Sequence, residues 1–304
     1  MLVTPLPGAD RSNLRAALRE IVRDLTNLRG SSEPDRIAYL RWAGEAARKI
    51  HGQIREADVQ RLVLTRWYEL LFAHSLARDP ALSNLVALEI DERVRALDAA
   101  LSSLENRISQ WSARGLFVVA DTNVYLNADK LDELDIGGLI DAGNEAIHWL
   151  IPIVIIDELD KLKQHSNQHV RWRAGYTLGI LDELLGKTGR YPAVLRSVVP
   201  PSRDHDTGRG PVTVEVLLDP PGHVRLPIAD DEIIDRIGAA TPLAARPIWL
   251  LTYDTGATMR AREAGVPVKK LVKSIGDEPV VSERASRRAR RASQPTDVEP
   301  RPSE

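Results

Sequence analysis

Acidic side chains follow three short apolar runs of this sequence, where each run gives way to polar residues. Asp121 follows the first run, Glu158 the second and Asp254 the third. Such runs are typical of buried parallel strands, and open α/β sheets bind ligands at the carboxyl ends of their strands. A fourth acid, Asp231, stands at the start of a predicted helix. If the three strands are neighbours, the four carboxylates meet at one edge of the sheet.

Carboxylates that lie a few ångströms apart repel one another, and without a cation at least one of them would take up a proton. A hard divalent ion such as Mg²⁺ removes this repulsion, because it prefers oxygen ligands and binds through a few carboxylates plus phosphate oxygens of a substrate. Two such ions about 3.5–4 Å apart activate a water and stabilise the leaving oxygen of an in-line displacement. This acidic set without His or Cys therefore predicts metal-assisted phosphodiester hydrolysis rather than a zinc peptidase.

Each acid taken alone also has a structural interpretation. Asp121 and Asp254 can cap the helices that follow them, and Glu158 suits the first turn of a helix. Asp231 and Asp235 lie four residues apart on one helix face, which exposure to solvent would explain. The joint pattern is more specific than any member, because three strand ends and one helix start all supply acids.

The overall composition predicts no particular partner. The chain has 304 residues with 41 basic and 43 acidic side chains, and its formal net charge is −2. It contains no cysteine, which excludes disulfides and cysteine nucleophiles, and only 5% aromatic residues, which leaves few platforms for stacking on bases. No segment has the pattern of a signal peptide, and no apolar run approaches the roughly 20 residues that span a bilayer. We therefore expect a cytoplasmic protein with no membrane partner.

The first part of the chain, 1–112, is predicted to be an all-α helical domain with helices near 12–30, 34–50, 56–76 and 82–111. The last helix carries apolar residues at alternating spacings of four and three, which is a heptad pattern. It indicates either an antiparallel helical hairpin within the domain or a coiled coil that forms a homo-oligomer through 90–111. The heptad positions are Ile90, Val94, Leu97, Leu101, Leu104, Ile108 and Trp111.

Strand and helix patterns alternate over 113–273, which predicts an α/β domain. Strands are predicted at 116–120, 151–156, 194–199, 213–218, 248–251 and 266–268, of which 213–218 alternates and suits an edge strand. Helices are predicted at 136–142, 158–164, 170–185, 230–237 and 255–264. The remaining residues, 274–304, are predicted to be a disordered tail, basic and then acidic and Pro-rich. Its arginines either solubilise the chain or make nonspecific phosphate contacts.

The segments 118–126, 152–160, 230–234 and 251–254 resemble, in order and spacing, the successive motifs of PIN-domain ribonucleases. The resemblance implies a compact three-layer α/β/α fold with a central parallel sheet. It also implies an acidic site that binds Mg²⁺ or Mn²⁺ and cleaves single-stranded RNA. On that resemblance the catalytic and metal-binding residues are Asp121, Glu158, Asp231 and Asp254.

The resemblance also implies supporting and RNA-binding positions. Asn123 and Thr252 would orient the acids or a water, and Asp230 and Asp235 are substitutes if the register of the third motif is shifted. Basic residues along two helices would line the RNA path, although a solvated helix face would explain them equally well. These residues are Lys161, Lys163, Arg171, Arg173, Arg260 and Arg262.

The added helical domain and an insertion around 194–227 make the chain more similar to the larger PIN domains, such as those attached to PhoH-type ATPases, than to a minimal toxin. The sequence has no phosphate-binding loop of the ATPase kind. A haloacid-dehalogenase-type phosphatase would need a second Asp where Asn123 stands, and a receiver domain would need a Lys beside the acids. The remaining alternative is a catalytically inactive PIN-like module that binds RNA or a protein and assembles through the helical domain.

Overall fold

The structure, a computed structural model, describes residues 3–30, 35–73, 80–188, 192–200 and 208–272. The described residues up to Leu271 belong to one compact unit. The predicted tail at 274–304 lies outside the described residues. No helix in the described ranges is both long enough and apolar enough to cross a membrane.

The N-terminal part is all-helical, as predicted, and its helices are α1 (Arg11–Arg29), α2 (Arg36–Ile50), α3 (Glu56–Leu62), α4 (Arg66–Ala73) and α5 (Pro80–Ser112). Helix α1 begins after Asp10, which caps it: the carboxylate of Asp10 accepts hydrogen bonds from the backbone N–H groups of Ser12 and Asn13. The helix predicted at 56–76 is two helices. The hydroxyl of Thr65 accepts from the backbone N–H of Tyr68 and starts the second one.

Six of the seven heptad positions of α5 are buried within the chain, and Leu101 is partly buried. Ile90, Leu97, Leu104 and Trp111 are at most 1% exposed, and α5 packs against α1. Contacts within the chain therefore cover the seam, as the interpretation of packing within the domain expects. A homo-oligomer through 90–111 stays a prediction, and it would need another face of this helix.

The α/β part contains a mostly parallel six-stranded sheet with helices around it, which confirms the predicted fold class. The sheet order is β3-β4-β2-β1-β5-β6, and only the pair β3–β4 is antiparallel. The strands are β1 (Leu116–Ala120), β2 (Ile147–Pro152), β3 (Ala193–Arg196), β4 (Val212–Leu217), β5 (Ile248–Thr252) and β6 (Val268–Lys270). The helices are α6 (Thr122–Asn127), α7 (Ile136–Leu139), α8 (Ile153–Leu162), α9 (Gln168–Thr188), α10 (Ala229–Ala244) and α11 (Thr255–Glu263).

Two strand predictions were wrong, one in the type of secondary structure and one in the position within the sheet. The run at 151–156 is mostly the start of α8, while β2 ends at Pro152. The whole segment from Ile147 to Ile156 is largely apolar, and periodicity cannot separate a buried strand from the buried first turns of a helix in such a run. Strand β4, predicted at an edge, lies between β3 and β2. Its polar residues are buried against partners instead of facing water.

Glu215 on β4 joins the sheet to the last N-terminal helix. Its side chain is buried and accepts hydrogen bonds from Trp111 Nε1 at 3.0 Å and His148 Nε2 at 3.1 Å, and it pairs with Arg107. Burial lowers the pKa of His148 to about 3, with smaller contributions from Arg114 and Arg107. His148 is therefore neutral at pH 7, and Glu215 carries the negative charge that balances Arg107.

Substitution of Glu215 by Ala is expected to lower the free energy of unfolding by about 3 kcal/mol, because it leaves the buried guanidinium of Arg107 without its partner. Urea unfolding at pH 7 measures this change. Glu105→Ala is the control, because Glu105 lies on the same helix as Arg107 but forms a more exposed pair, with Arg19. Its loss should change the free energy of unfolding by about 1 kcal/mol or less. If the Glu215 variant were as stable as this control, the pair of Glu215 with Arg107 would not stabilise the fold as we infer.

Candidate acidic active site

Asp121 is the buried centre of the site. It follows β1, is only 3% exposed, and caps α6 by accepting a hydrogen bond from the backbone N–H of Val124 at 2.9 Å. The hydroxyl of Thr252, at the end of β5, donates to its other oxygen. The backbone N–H of Asp121 also donates to the carbonyl of Leu251 at 3.0 Å. The carboxylate is therefore fixed by two neighbouring strands and one helix.

The pKa of Asp121 is raised to about 6. Burial is the main cause, and the charges of Asp230 and Asp254 add to it, against the lowering effect of the hydrogen bonds from Thr252 and Val124. The pKa of Asp230 is also raised, first by burial and then by Asp254 and Asp231. Neighbouring carboxylates thus contribute to both of these raised pKa values, although burial is the larger cause.

A cleft of about 370 Å³ opens beside Asp121. Glu158 reaches it from the second turn of α8, not from a strand end, and accepts a hydrogen bond from the hydroxyl of Thr122. The predicted Asn123 is exposed at the same cleft. The lining residues are Asp121, Thr122, Asn123, Leu126, Glu158, Lys161, Leu162, Asp230 and Ile233.

The third motif enters the cleft in a shifted register. Asp230 lines the cleft, while Asp231 pairs with Arg260 Nε at 3.2 Å. Arg260 also donates to Asp230 at 3.1 Å, so one guanidinium bridges both acids. Asp235, named as a substitute, is held elsewhere by ion pairs with Arg55 and Arg236. The structure therefore favours Asp230 as the acid of this motif that faces the cleft.

Asp254 has two roles in the structure. Its side chain caps α11 by accepting a hydrogen bond from the backbone N–H of Ala257 at 2.7 Å, and its backbone N–H donates to the hydroxyl of Thr252 at 2.9 Å. Its charge also raises the pKa values of Asp121 and Asp230. Asp254 thus caps α11 and also lies close enough to Asp121 and Asp230 to affect their pKa values.

The predicted RNA-binding residues divide into separate groups. Lys161 lines the cleft, Lys163 pairs with Asp160 on the surface, and the exposed Arg171 donates to carbonyl groups just before α9. Arg262 lines a different cavity, at the start of β5. The prediction for Arg173 was wrong, because its buried guanidinium donates to carbonyls in and just after α6 and is not available to a phosphate. These carbonyls belong to Tyr125, Ala128 and Asp129.

A second polar cluster was missed by the sequence analysis. Asp219, His223 and Glu232 are the only set of three possible metal ligands in the described ranges whose ligand atoms all lie within 4.8 Å of one another. Their atoms already have partners: Glu232 binds His223 Nε2 at 2.7 Å and Arg236, and Arg55 lies 3.2 Å from His223 Nδ1. Asp219 also pairs with Arg225, so this cluster is a partly buried hydrogen-bond network. Nothing in the spacing of a lone His and scattered acids distinguishes it.

The side chains that line the cleft offer the kind of ligand atoms that a hard divalent cation prefers. All of its charged acceptors are carboxylates, and neither thiolate nor imidazole is among the cleft-lining residues. Such oxygen donors suit Mg²⁺ and Mn²⁺. The site is therefore acidic, and it lies at the carboxyl ends of parallel strands in an α/β domain.

Comparison with known proteins identifies the family. The PIN domain family matches residues 118–272, about half of the chain, and the protein belongs to this family. PIN domains are generally nucleases and typically use divalent metals. A solved domain of a functionally unknown protein from Methanocaldococcus jannaschii DSM 2661 aligns with a TM-score of 0.33 and 16% identity, over 55% of this chain and 98% of that one. Among curated proteins no match was found.

Asp121→Asn is expected to stabilise the metal-free protein at pH 8. Because the folded-state pKa is about 6 rather than 3.8, the stabilising contribution of this group is complete below pH 3.8 and is lost as pH rises through about 6. An uncharged side chain avoids that loss, with a gain on the order of 2–3 kcal/mol at pH 8 and almost none near pH 4. Asn also retains the helix cap.

Urea unfolding in EDTA at both pH values tests this expectation. Asp10→Asn changes an exposed helix cap in the same way and should give the same small effect at both values. A loss of stability at pH 8 in the Asp121 variant would show that the charged carboxylate is structurally favourable, and the repulsion argument would fail.

Proposed function

We propose that this protein is a metal-dependent ribonuclease that hydrolyses phosphodiester bonds of single-stranded RNA. The observation that supports it most directly is the raised pKa of Asp121, caused by burial beside Asp230 and Asp254. A fold that keeps a buried carboxylate next to like charges gains from a bound cation. Glu158 in the same cleft adds a further oxygen donor. Membership of the PIN domain family supports the same chemistry.

The carboxylates that would hold Mg²⁺ or Mn²⁺ are Asp121, Glu158, Asp230 and Asp254, with Asp231 beside them on α10. The ion would supply activation of a water and charge neutralisation at the leaving oxygen. The hydroxyls of Thr252 and Thr122 fix the orientation of Asp121 and Glu158 in advance.

The remaining cleft residues suit an RNA strand. Lys161 lies at the cleft and places an ammonium group where it can contact a phosphate, which is a sequence-independent interaction. Asn123 is exposed on the first turn of α6 and offers an amide to the same strand. Leu126, Leu162 and Ile233 form an apolar wall that limits the access of water.

The alternative is a PIN-like module that binds RNA or a partner protein without cleaving RNA. It is favoured by large apolar side chains that are exposed on three helices of the N-terminal part, of which Phe72 is 65% exposed. Exposed apolar groups of this kind are found at protein contacts. The side chains are Ile37, Trp67, Leu70, Phe72, Leu85 and Leu88. The two functions differ in whether the acids are needed.

Cleavage of a labelled single-stranded RNA by the full chain is expected with Mn²⁺, and EDTA should abolish it. Asp121→Asn and Glu158→Gln should each reduce the rate at least 100-fold, since each removes a charged ligand of the site. Asp160→Asn is the matched control for Glu158, because Asp160 lies on the same helix but is exposed and paired with Lys163. An unchanged rate in either site variant would contradict the nuclease assignment.

Arg260→Gln is expected to tighten Mn²⁺ binding about three- to tenfold, because a guanidinium that bridges Asp230 and Asp231 competes with a cation for the same charge. Calorimetry on the full chain measures the affinity. Arg262→Gln, two residues further along α11, is the control. Weaker binding in the Arg260 variant would mean that Arg260 holds the acids in position for the ion.

A further inference from the structure

One aromatic side chain is exposed on a helix beside the acidic cleft. Trp172 on α9 is 51% exposed, although the chain contains only 6 Trp residues and 5% aromatic residues in total. It stacks on Tyr176, one helical turn away, with ring centroids 5.3 Å apart and an interplanar angle of 26°. Two stacked rings with one large exposed member form a flat platform on an otherwise polar helix surface.

Residues outside α9 hold Tyr176, the second ring of the platform, in place. The hydroxyl of Tyr176 donates to both carboxylate oxygens of Asp132 at 3.0 Å, which holds the ring in place. Lys130 lies 5.7 Å from the centre of the Tyr176 ring and is itself held by Glu133 at 2.7 Å. These contacts and the stacking on Tyr176 give Trp172 a defined neighbour on one side of its ring.

The platform is also fixed relative to the cleft. Helix α9 packs against both α6 and α8, the helices that bring Asn123, Glu158 and Lys161 to the cleft. Arg173, the neighbour of Trp172, binds the carbonyl of Tyr125 at the end of α6. Helix α9 is therefore adjacent to the two helices that line the cleft.

We propose that Trp172, supported by Tyr176, is a base-stacking subsite for single-stranded RNA beside the acidic cleft. This inference rests on the proposed function, since it takes the same substrate. Every nucleobase has a flat π face, so stacking on Trp gives affinity without sequence preference, as a general ribonuclease requires. The subsite would hold a nucleotide outside the cleft while the acids act on the phosphodiester within it.

The test is the affinity of the full-length chain for fluorescently labelled oligouridine, measured by anisotropy in Ca²⁺, with intact RNA verified on a gel afterwards. Trp172→Leu should weaken binding on the order of tenfold, because Leu is apolar but has no π face. Trp172→Phe should bind within about threefold of the wild type, since an aromatic ring remains. Trp67→Leu on α4, which also changes an exposed Trp, should bind as the wild type does.

An oligomer of the same length that lacks its bases separates stacking from phosphate contact. This abasic oligomer should bind more weakly than oligouridine. The wild type and Trp172→Leu should bind it with the same affinity. Equal binding of oligouridine by the wild type and Trp172→Leu would overturn the subsite, and so would a loss that persists with the abasic oligomer. If sedimentation changes and RNA affinity does not, Trp172 is a protein contact and the proposal is wrong.

These outcomes are separate from failure of the proposed function. Cleavage that depends on Asp121 together with unchanged binding by Trp172→Leu would keep the nuclease and remove the subsite. No binding of oligouridine by the wild type would overturn the subsite and the single-stranded RNA substrate together. Unfolding midpoints of the variants ensure that each comparison is made on folded protein.

Discussion

The acidic site depends on the parallel pairing of β1 with β2 on one side and β5 on the other. In this register Ala120 lies opposite Leu251, so the next residues, Asp121 and Thr252, meet at the edge of the sheet. Their hydrogen bond fixes the carboxylate. Because all three strands point the same way, the helices that follow β2 and β5 also start at this edge. Glu158 lies in the second turn of α8, and Asp254 caps α11. Asp230 comes from the first turn of α10, which follows β4.

This arrangement has an energetic cost that the rest of the fold must offset. Burial raises the pKa of Asp121 to about 6, and the neighbouring acids add to that effect, so the ionised site opposes folding near neutral pH. Elsewhere the chain pairs its buried charges closely, as Glu215 with Arg107 and Glu232 with Arg236. At the cleft, by contrast, Asp230 shares one guanidinium with Asp231, and the charges of Asp230 and Asp254 raise the pKa of Asp121. Such a group of like charges is expected of a functional site rather than of a structural one.

The sequence was sufficient for the fold class and for β1 and β5, because each of these strands is a short apolar run with polar residues directly after it. The sequence was not sufficient where one residue pattern is compatible with two local structures. A continuous apolar run hides the boundary between β2 and α8, so Glu158 was placed at a strand end. Adjacent acids on a helix differ by about 100° in direction, and periodicity alone did not choose Asp230 over Asp231. Arg173 is a charged residue of the type that usually lies at the surface, and only tertiary contacts bury it.

The helical N-terminal part is joined to the helix that carries the third acid. Arg55, just before α3, pairs with Asp235 and contacts His223, while Asp230 lies at the first turn of the same helix, α10. Asp235 is five residues from Asp230, which is less than two turns of a rigid helix. The position of Asp230 in the cleft therefore depends partly on contacts made by the N-terminal part. This coupling gives the added helices a structural reason to accompany the PIN domain, whichever partner their exposed apolar side chains contact.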